Sequence, residues 1–160
     1  MRSYFLDSSA VVRLYTAEVG SKAVADMLRG AAAHPPTAQV LVCDLSLPET
    51  VSALLQIAHG ARGPQRGLSR AALKRVLPQV RADFDGAAAL SLVPATGCME
   101  LAADLVQRHR LHVADAVHVA AALRTKRVVP EASAFVFVSD DVAQCRAAEA
   151  EGLYVLRPSA

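Results

Sequence analysis

A chain of 160 residues is long enough to bury a sizeable core, and a single domain spanning 1–160 is the expectation. It is 53% hydrophobic but only 4% aromatic, so Ala, Val and Leu must do the packing, which suits close helices on a small sheet. A net charge of +2 is too weak to imply nucleic acid by itself, and no uncharged apolar run reaches the roughly 18–20 residues a membrane span needs.

The mean hydropathy of +0.29 therefore points to a large core or an oligomer interface. Cys43, Cys98 and Cys145 are odd in number and form no CxxC pair, so buried, reduced thiols are expected rather than a zinc knuckle or disulfides. The strand-like Tyr4-Phe5-Leu6 begins within four residues of the start, leaving no room for a secretory leader. A cytoplasmic location is the expectation.

In chain order, residues 2–7 read as a buried strand ending at Asp7, and Ser8-Ser9 can cap a helix through Val11, Val12, Leu14 and Tyr15. Gly20-Ser21 opens a second helix that stops at Gly30. Val40–Cys43 is the next strand, and Ser46-Leu47-Pro48-Glu49 opens a helix through Ile57. Residues 60–67 form a basic, glycine-rich loop of a helical hairpin, whose second arm runs from Leu68 to about Phe84 with a bend expected at Pro78. Leu90–Val93 is a strand, Cys98 to about His109 a helix, and a small-residue apolar helix follows Asp115. Ala134–Val138 is a strand ending at Ser139-Asp140-Asp141. A helix over 142–151 and a short strand over 153–156 complete the chain.

Strands alternating with helices imply a parallel sheet covered on both faces, with ligands beyond the carboxyl ends of the strands. Asp7 and Asp140-Asp141 lie at such ends; Glu49 and Asp115 join them if their helices start from that rim. Each acid also has a plain explanation. Asp7 and Asp140 or Asp141 can cap helices, Ser46-x-x-Glu49 reads as a capping box, and Asp115 can complement a helix dipole. Caps scatter over both ends of a sheet, whereas an active site gathers acids at one. Gathered carboxylates repel, and a hard divalent cation with oxygen ligands removes that penalty. Phosphodiester hydrolysis is the chemistry such a centre serves. A phosphatase built on Asp-x-Asp after the first strand is disfavoured because position 9 is Ser9.

Tyr4-Phe5-Leu6-Asp7-Ser8-Ser9-Ala10, Leu47-Pro48-Glu49, Ala114-Asp115-Ala116-Val117-His118-Val119-Ala120-Ala121 and Val138-Ser139-Asp140-Asp141 resemble, in order and spacing, the four signatures of PIN-domain proteins. The resemblance is closest to the VapC toxins of bacterial toxin–antitoxin pairs and covers nearly the whole chain. It implies a three-layer α/β fold with a five-stranded parallel sheet flanked by helices and a protruding helical hairpin. It also implies a Mg²⁺- or Mn²⁺-dependent endoribonuclease, a hydrolase acting as a homodimer and neutralised by a small antitoxin protein. By resemblance, Asp7 and Asp115 are the principal metal ligands, and Glu49 completes the acidic cluster. The last signature, read as hydroxyl residue, any residue, Asp, selects Asp141 with Ser139 as the hydroxyl; a one-residue shift would select Asp140. Ser9 matches a small polar position that supports the site by hydrogen bonds. The alternative is a PIN-like module that binds RNA or protein without cutting.

His118 lies one helical turn beyond Asp115 and is read as a packed histidine, because hard Mg²⁺ prefers oxygen. Arg62, Arg66, Arg70, Lys74 and Arg75 concentrate positive charge on the hairpin, either for RNA backbone contact or as a solvated face. No stacking aromatic accompanies them, so sequence readout there is unsupported.

Overall fold

The computed structural model describes residues 1–60, 68–129 and 134–160. Five strands, β1 (Arg2–Leu6), β2 (Ala38–Cys43), β3 (Leu90–Val93), β4 (Ala134–Val138) and β5 (Tyr154–Leu156), pair in the order β3-β2-β1-β4-β5. Every pairing is parallel. Among the described residues the helices are α1 (Ser8–Val12), α2 (Ser21–Ala32), α3 (Ser46–Ala58), α4 (Arg70–Ala82), α5 (Met99–His109), α6 (Val113–Lys126) and α7 (Val142–Ala150). None is long and apolar enough to cross a membrane.

The two-residue alternation of a strand sends side chains to opposite faces, and here each face has its own core. Phe5, Leu41, Cys43, Phe135 and Phe137 pack with α5, α6 and α7. Leu6, Val40, Val42 and Val138 pack with α1 to α4. The scarcity of aromatics is met as its composition requires: α6 buries Ala116, Ala120, Ala121 and Ala122 completely, so it lies close against its neighbours. All three cysteines are free and buried, and burial pushes the Cys43 thiol up to about 12, which makes it inert.

From β1 the chain steps outward through β2 to β3, then returns across the sheet to β4 and β5. Helices before the return lie on one face and helices after it on the other. The crevice between them opens at the carboxyl ends of β1 and β4, the neighbours at which the direction of winding changes.

One local expectation is corrected here. α1 ends at Val12, because Leu14 and Tyr15 donate to Val11 and Val12 in tighter i→i−3 bonds and Thr16 Oγ1 takes up the Val12 carbonyl at 3.1 Å. Pro78 lies inside α4 on its exposed side, where the carbonyl it leaves free can be hydrated, and α4 leads into a π-helical turn at Asp83–Ala87 with Gly86 at φ +105°. The arms of the helical hairpin, α3 and α4, bury Leu54, Ile57, Leu73 and Val80 in the core. The connecting loop at 61–67 lies outside the described residues.

Away from the crevice, Arg108 and His109 both bond Glu151 Oε1, at 2.5 and 2.7 Å, and Lys126 Nζ bonds the Gly152 carbonyl at 2.7 Å. These contacts tie the ends of α5, α6 and α7 together, and the His109 bond holds the Glu151 carboxyl below its usual range. After β5, Pro158 seats against Gly20, whose φ is +90°; a Cβ at Gly20 would stand 2.6 Å from the Pro158 carbonyl oxygen. Gly20→Ala is therefore expected to cost about 1–3 kcal/mol through backbone strain and this clash. An unchanged urea midpoint would show that residues 157–159 yield freely.

Candidate active site: a rim of carboxylates

The register Leu6↔Val42 and Leu6↔Val138 carries the chain out of the sheet at Asp7 and Ser139 side by side. Asp7 caps α1 and is 3% exposed. Its Oδ1 accepts from Ser9 Oγ and Ala10 N, both at 2.8 Å, and its Oδ2 lies 2.8 Å from Ser139 Oγ, a contact spanning 132 residues of chain. Among the described residues Asp7 has no Lys or Arg ion-pair partner. Burial pushes its carboxyl up to about 6, against the opposing pull of the Ala10 amide, His118 and the two hydroxyls.

Ser139 Oγ faces a second acceptor, Gln144 Oε1, at 2.7 Å, and accepts the Asp141 amide at 3.1 Å. Its single proton serves only one of the two acceptors. The other contact is satisfied when Asp7 carries a proton, the same direction in which burial drives it. Gln144 cannot turn over, because its Nε2 donates to the Asp115 carbonyl at 3.2 Å.

The adjacent acids of the last signature part company. Asp141 is exposed and caps α7, its Oδ1 accepting from Gln144 N at 2.8 Å, and its charge raises the Asp115 carboxyl. Asp140 turns the other way, into an ion pair with the buried Arg13 and bonds from Ser159.

Glu49 and Asp115 sit in the first turns of α3 and α6. The predicted capping box at Ser46-x-x-Glu49 does not form. Leu45 is the N-cap without a side-chain bond, Ser46 Oγ is buried with no partner among the described residues, and Glu49 Oε2 instead lies 2.5 Å from His118 Nε2. His118 is 1% exposed, and its Nδ1 has no partner among the described residues. It is therefore buried as expected, but it also anchors a site acid. Asp115 is raised by burial first, then by Asp141, and also by Glu49, with His112 and His118 opposing. His118→Leu is expected to lose about 2–3 kcal/mol of stability, and His118→Gln less, because glutamine keeps a donor toward Glu49. Equal losses in urea denaturation would reduce His118 to packing alone.

The four elements thus bring Asp7, Glu49, Asp115 and Asp141 to one rim, with Ser9, Ser139 and Asp140 as the hydrogen-bonded frame. They are not drawn together: among the described residues no group of three or more His, Cys, Asp or Glu side chains is set closely enough to hold a metal ion. Glu49 is held by His118, and Asp141 by the end of α7. The donor set still fits a hard divalent cation. It is all oxygen, and Asp7 is a buried carboxylate with no Lys or Arg ion-pair partner among the described residues.

Arg70, Lys74 and Arg75 are exposed on α4; Arg62 and Arg66 lie outside the described residues. Arg13 and Gln144 had not been singled out from the sequence. Arg13 is a lone cation in an otherwise apolar run, which was the available signal; Gln144 carried none beyond standing three residues after the capping Asp141.

No individual curated protein matches the chain. The family profile described as the PIN domain matches residues 4–150, a stretch that holds all four acids, and the parallel sheet and its order agree with that fold. The chain belongs to the PIN domain family, whose members are generally metal-dependent nucleases.

Proposed function

We propose that the chain is a Mg²⁺- or Mn²⁺-dependent endoribonuclease acting as the toxin of a toxin–antitoxin pair. The observation that supports the catalytic part is the crevice itself: four acids, from the β1–α1 junction, α3, α6 and the β4–α7 turn, lie toward one rim, and burial pushes Asp7 and Asp115 toward protonation, helped at Asp115 by Asp141 and Glu49. That is the state a cation relieves. Asp7 and Asp115 would hold the ion, and Glu49 and Asp141 would complete the acidic set. Once bound, the ion supplies Lewis acidity toward water and the scissile phosphate.

The chain's own residues supply orientation. Ser9, the Ala10 amide and Ser139 fix the Asp7 carboxylate from three directions. Gln144 bridges Ser139 to the Asp115 main chain, so the β1, β4 and α6 contributions are bonded to one another. The exposed cations of α4, with Arg62 and Arg66, are assigned to the RNA backbone. The antitoxin partner, the homodimer and the RNA substrate rest on the closeness of the four signatures to those of the VapC toxins.

Purified, folded protein is expected to cut RNA with Mn²⁺ or Mg²⁺ and to stop on addition of a chelator. Induced expression is expected to arrest growth in the wild type and not in Asp115→Asn. Folded protein that leaves a panel of transfer, ribosomal and messenger RNAs intact with either ion would favour the binding-module reading instead.

A further inference from the structure

Arg13 is 7% exposed and lines the same pocket as Ser9, Glu18, Glu49, Asp140 and Asp141. A guanidinium is costly to bury unless its charge is matched. Here Nη2 pairs with Asp140 Oδ2, while Nη1 bonds the Val19 carbonyl and lies 3.8 Å from Glu18. The other oxygen of Asp140 accepts from Ser159 Oγ at 2.5 Å and Ser159 N at 3.1 Å, and the Asp140 amide donates to Ser9 Oγ at 3.2 Å. Asp140 is thus held by main chain and side chain alike.

We propose that Arg13 is a positioning residue for the acidic site: by fixing Asp140 it sets the Ser139–Asp141 turn so that Asp141, and not its neighbour, faces Asp115. Two adjacent carboxylates on one turn compete for the same place. A cation buried on one side of the turn decides the competition, and the Ser159 bonds close the clamp. Released from Arg13, Asp140 would no longer hold the turn, and Asp141 would lose its place opposite Asp115. This inference rests on the metal-dependent reading above.

The test is Mn²⁺ binding to the full chain by calorimetry, with circular dichroism as the check on folding, for wild type, Arg13→Ala, Arg13→Lys, Asp140→Ala, Ser159→Ala and the Arg13→Ala/Asp140→Ala double variant. Arg13→Ala and Asp140→Ala are each expected to weaken Mn²⁺ binding by about tenfold or more, as loss of a residue that orients a ligand does. The double variant is expected to lose no more than either alone, because both act through one contact. Arg13→Lys, which keeps the charge but not the fork, falls between wild type and Arg13→Ala. In cleavage assays the loss should fall on kcat, with KM for RNA little changed. Additive losses in the double variant, or wild-type Mn²⁺ affinity in folded Arg13→Ala, would overturn the proposal. Should Arg13→Ala fail to fold, Arg13→Lys and Ser159→Ala decide it: both must bind Mn²⁺ more weakly than wild type. Wild-type protein that takes up no Mn²⁺ would overturn the nuclease reading itself, a result distinct from variants that match a binding wild type.

Discussion

Asp7→Asn is expected to abolish RNA cleavage and to make the protein more stable. The loss of rate should reach at least about a thousandfold, the scale of several kcal/mol of charge stabilisation removed from the transition state. The gain in stability follows from the hydrogen-bond count. The amide oxygen introduced by this substitution would still accept from Ser9 and Ala10, while the amide nitrogen would donate to Ser139 Oγ, freeing the Ser139 proton for Gln144 Oε1. Every contact is then satisfied with no buried charge. At neutral pH and without divalent ions the gain should be about 1–3 kcal/mol by urea denaturation. Asp115→Asn should lose cleavage to a similar extent, with a smaller gain, since Asp115 is only half-buried. Cleavage at the wild-type rate by either variant would remove the assignment.

The second large effect is on pH. The Asp7 carboxyl stands at about 6 in the folded chain against 3.8 for an unperturbed one. The folded state therefore holds this proton more tightly than the unfolded state does. Burial of Asp7 costs stability in full well above pH 6, and the cost fades as the pH falls from 6 toward 4. Measured without divalent ions, the stability gap of about 1–3 kcal/mol between Asp7→Asn and wild type should close over that window. Mn²⁺ must displace the same proton, so its affinity should fall by up to about tenfold per pH step below 6. A gap that stays constant from pH 8 to 4 would place the proton elsewhere.

Most of the architecture could be read from the letters because the strands are short, apolar and bounded by polar residues at their carboxyl ends. Phe5-Leu6-Asp7 and Phe137-Val138-Ser139 mark where β1 and β4 leave the sheet, and parallel pairing does the rest. The rim followed from the same logic. Side-chain direction was less accessible. Ser46-x-x-Glu49 has the pattern of a capping box, yet a histidine 69 residues away offers Glu49 a partner at 2.5 Å, and the long-range bond wins. His118 looked like packing because its surroundings are apolar; only the fold shows that its Nε2 edge reaches an acid. The split between Asp140 and Asp141 likewise depends on Arg13 and Ser159, which no local pattern connects to them. Capping and clustering also proved compatible, since Asp7 and Asp141 cap their helices while facing the same rim.

The bond between Asp7 and Ser139 joins the first strand to the fourth. During synthesis β1, β2 and β3 can assemble with α1 to α4 while the partner of Asp7 is still unmade. The nascent chain thus carries Asp7 without the last of the contacts that orient it until Ser139 is added. A ribonuclease built this way would keep its first acid idle until the fourth strand has been made and seated beside the first.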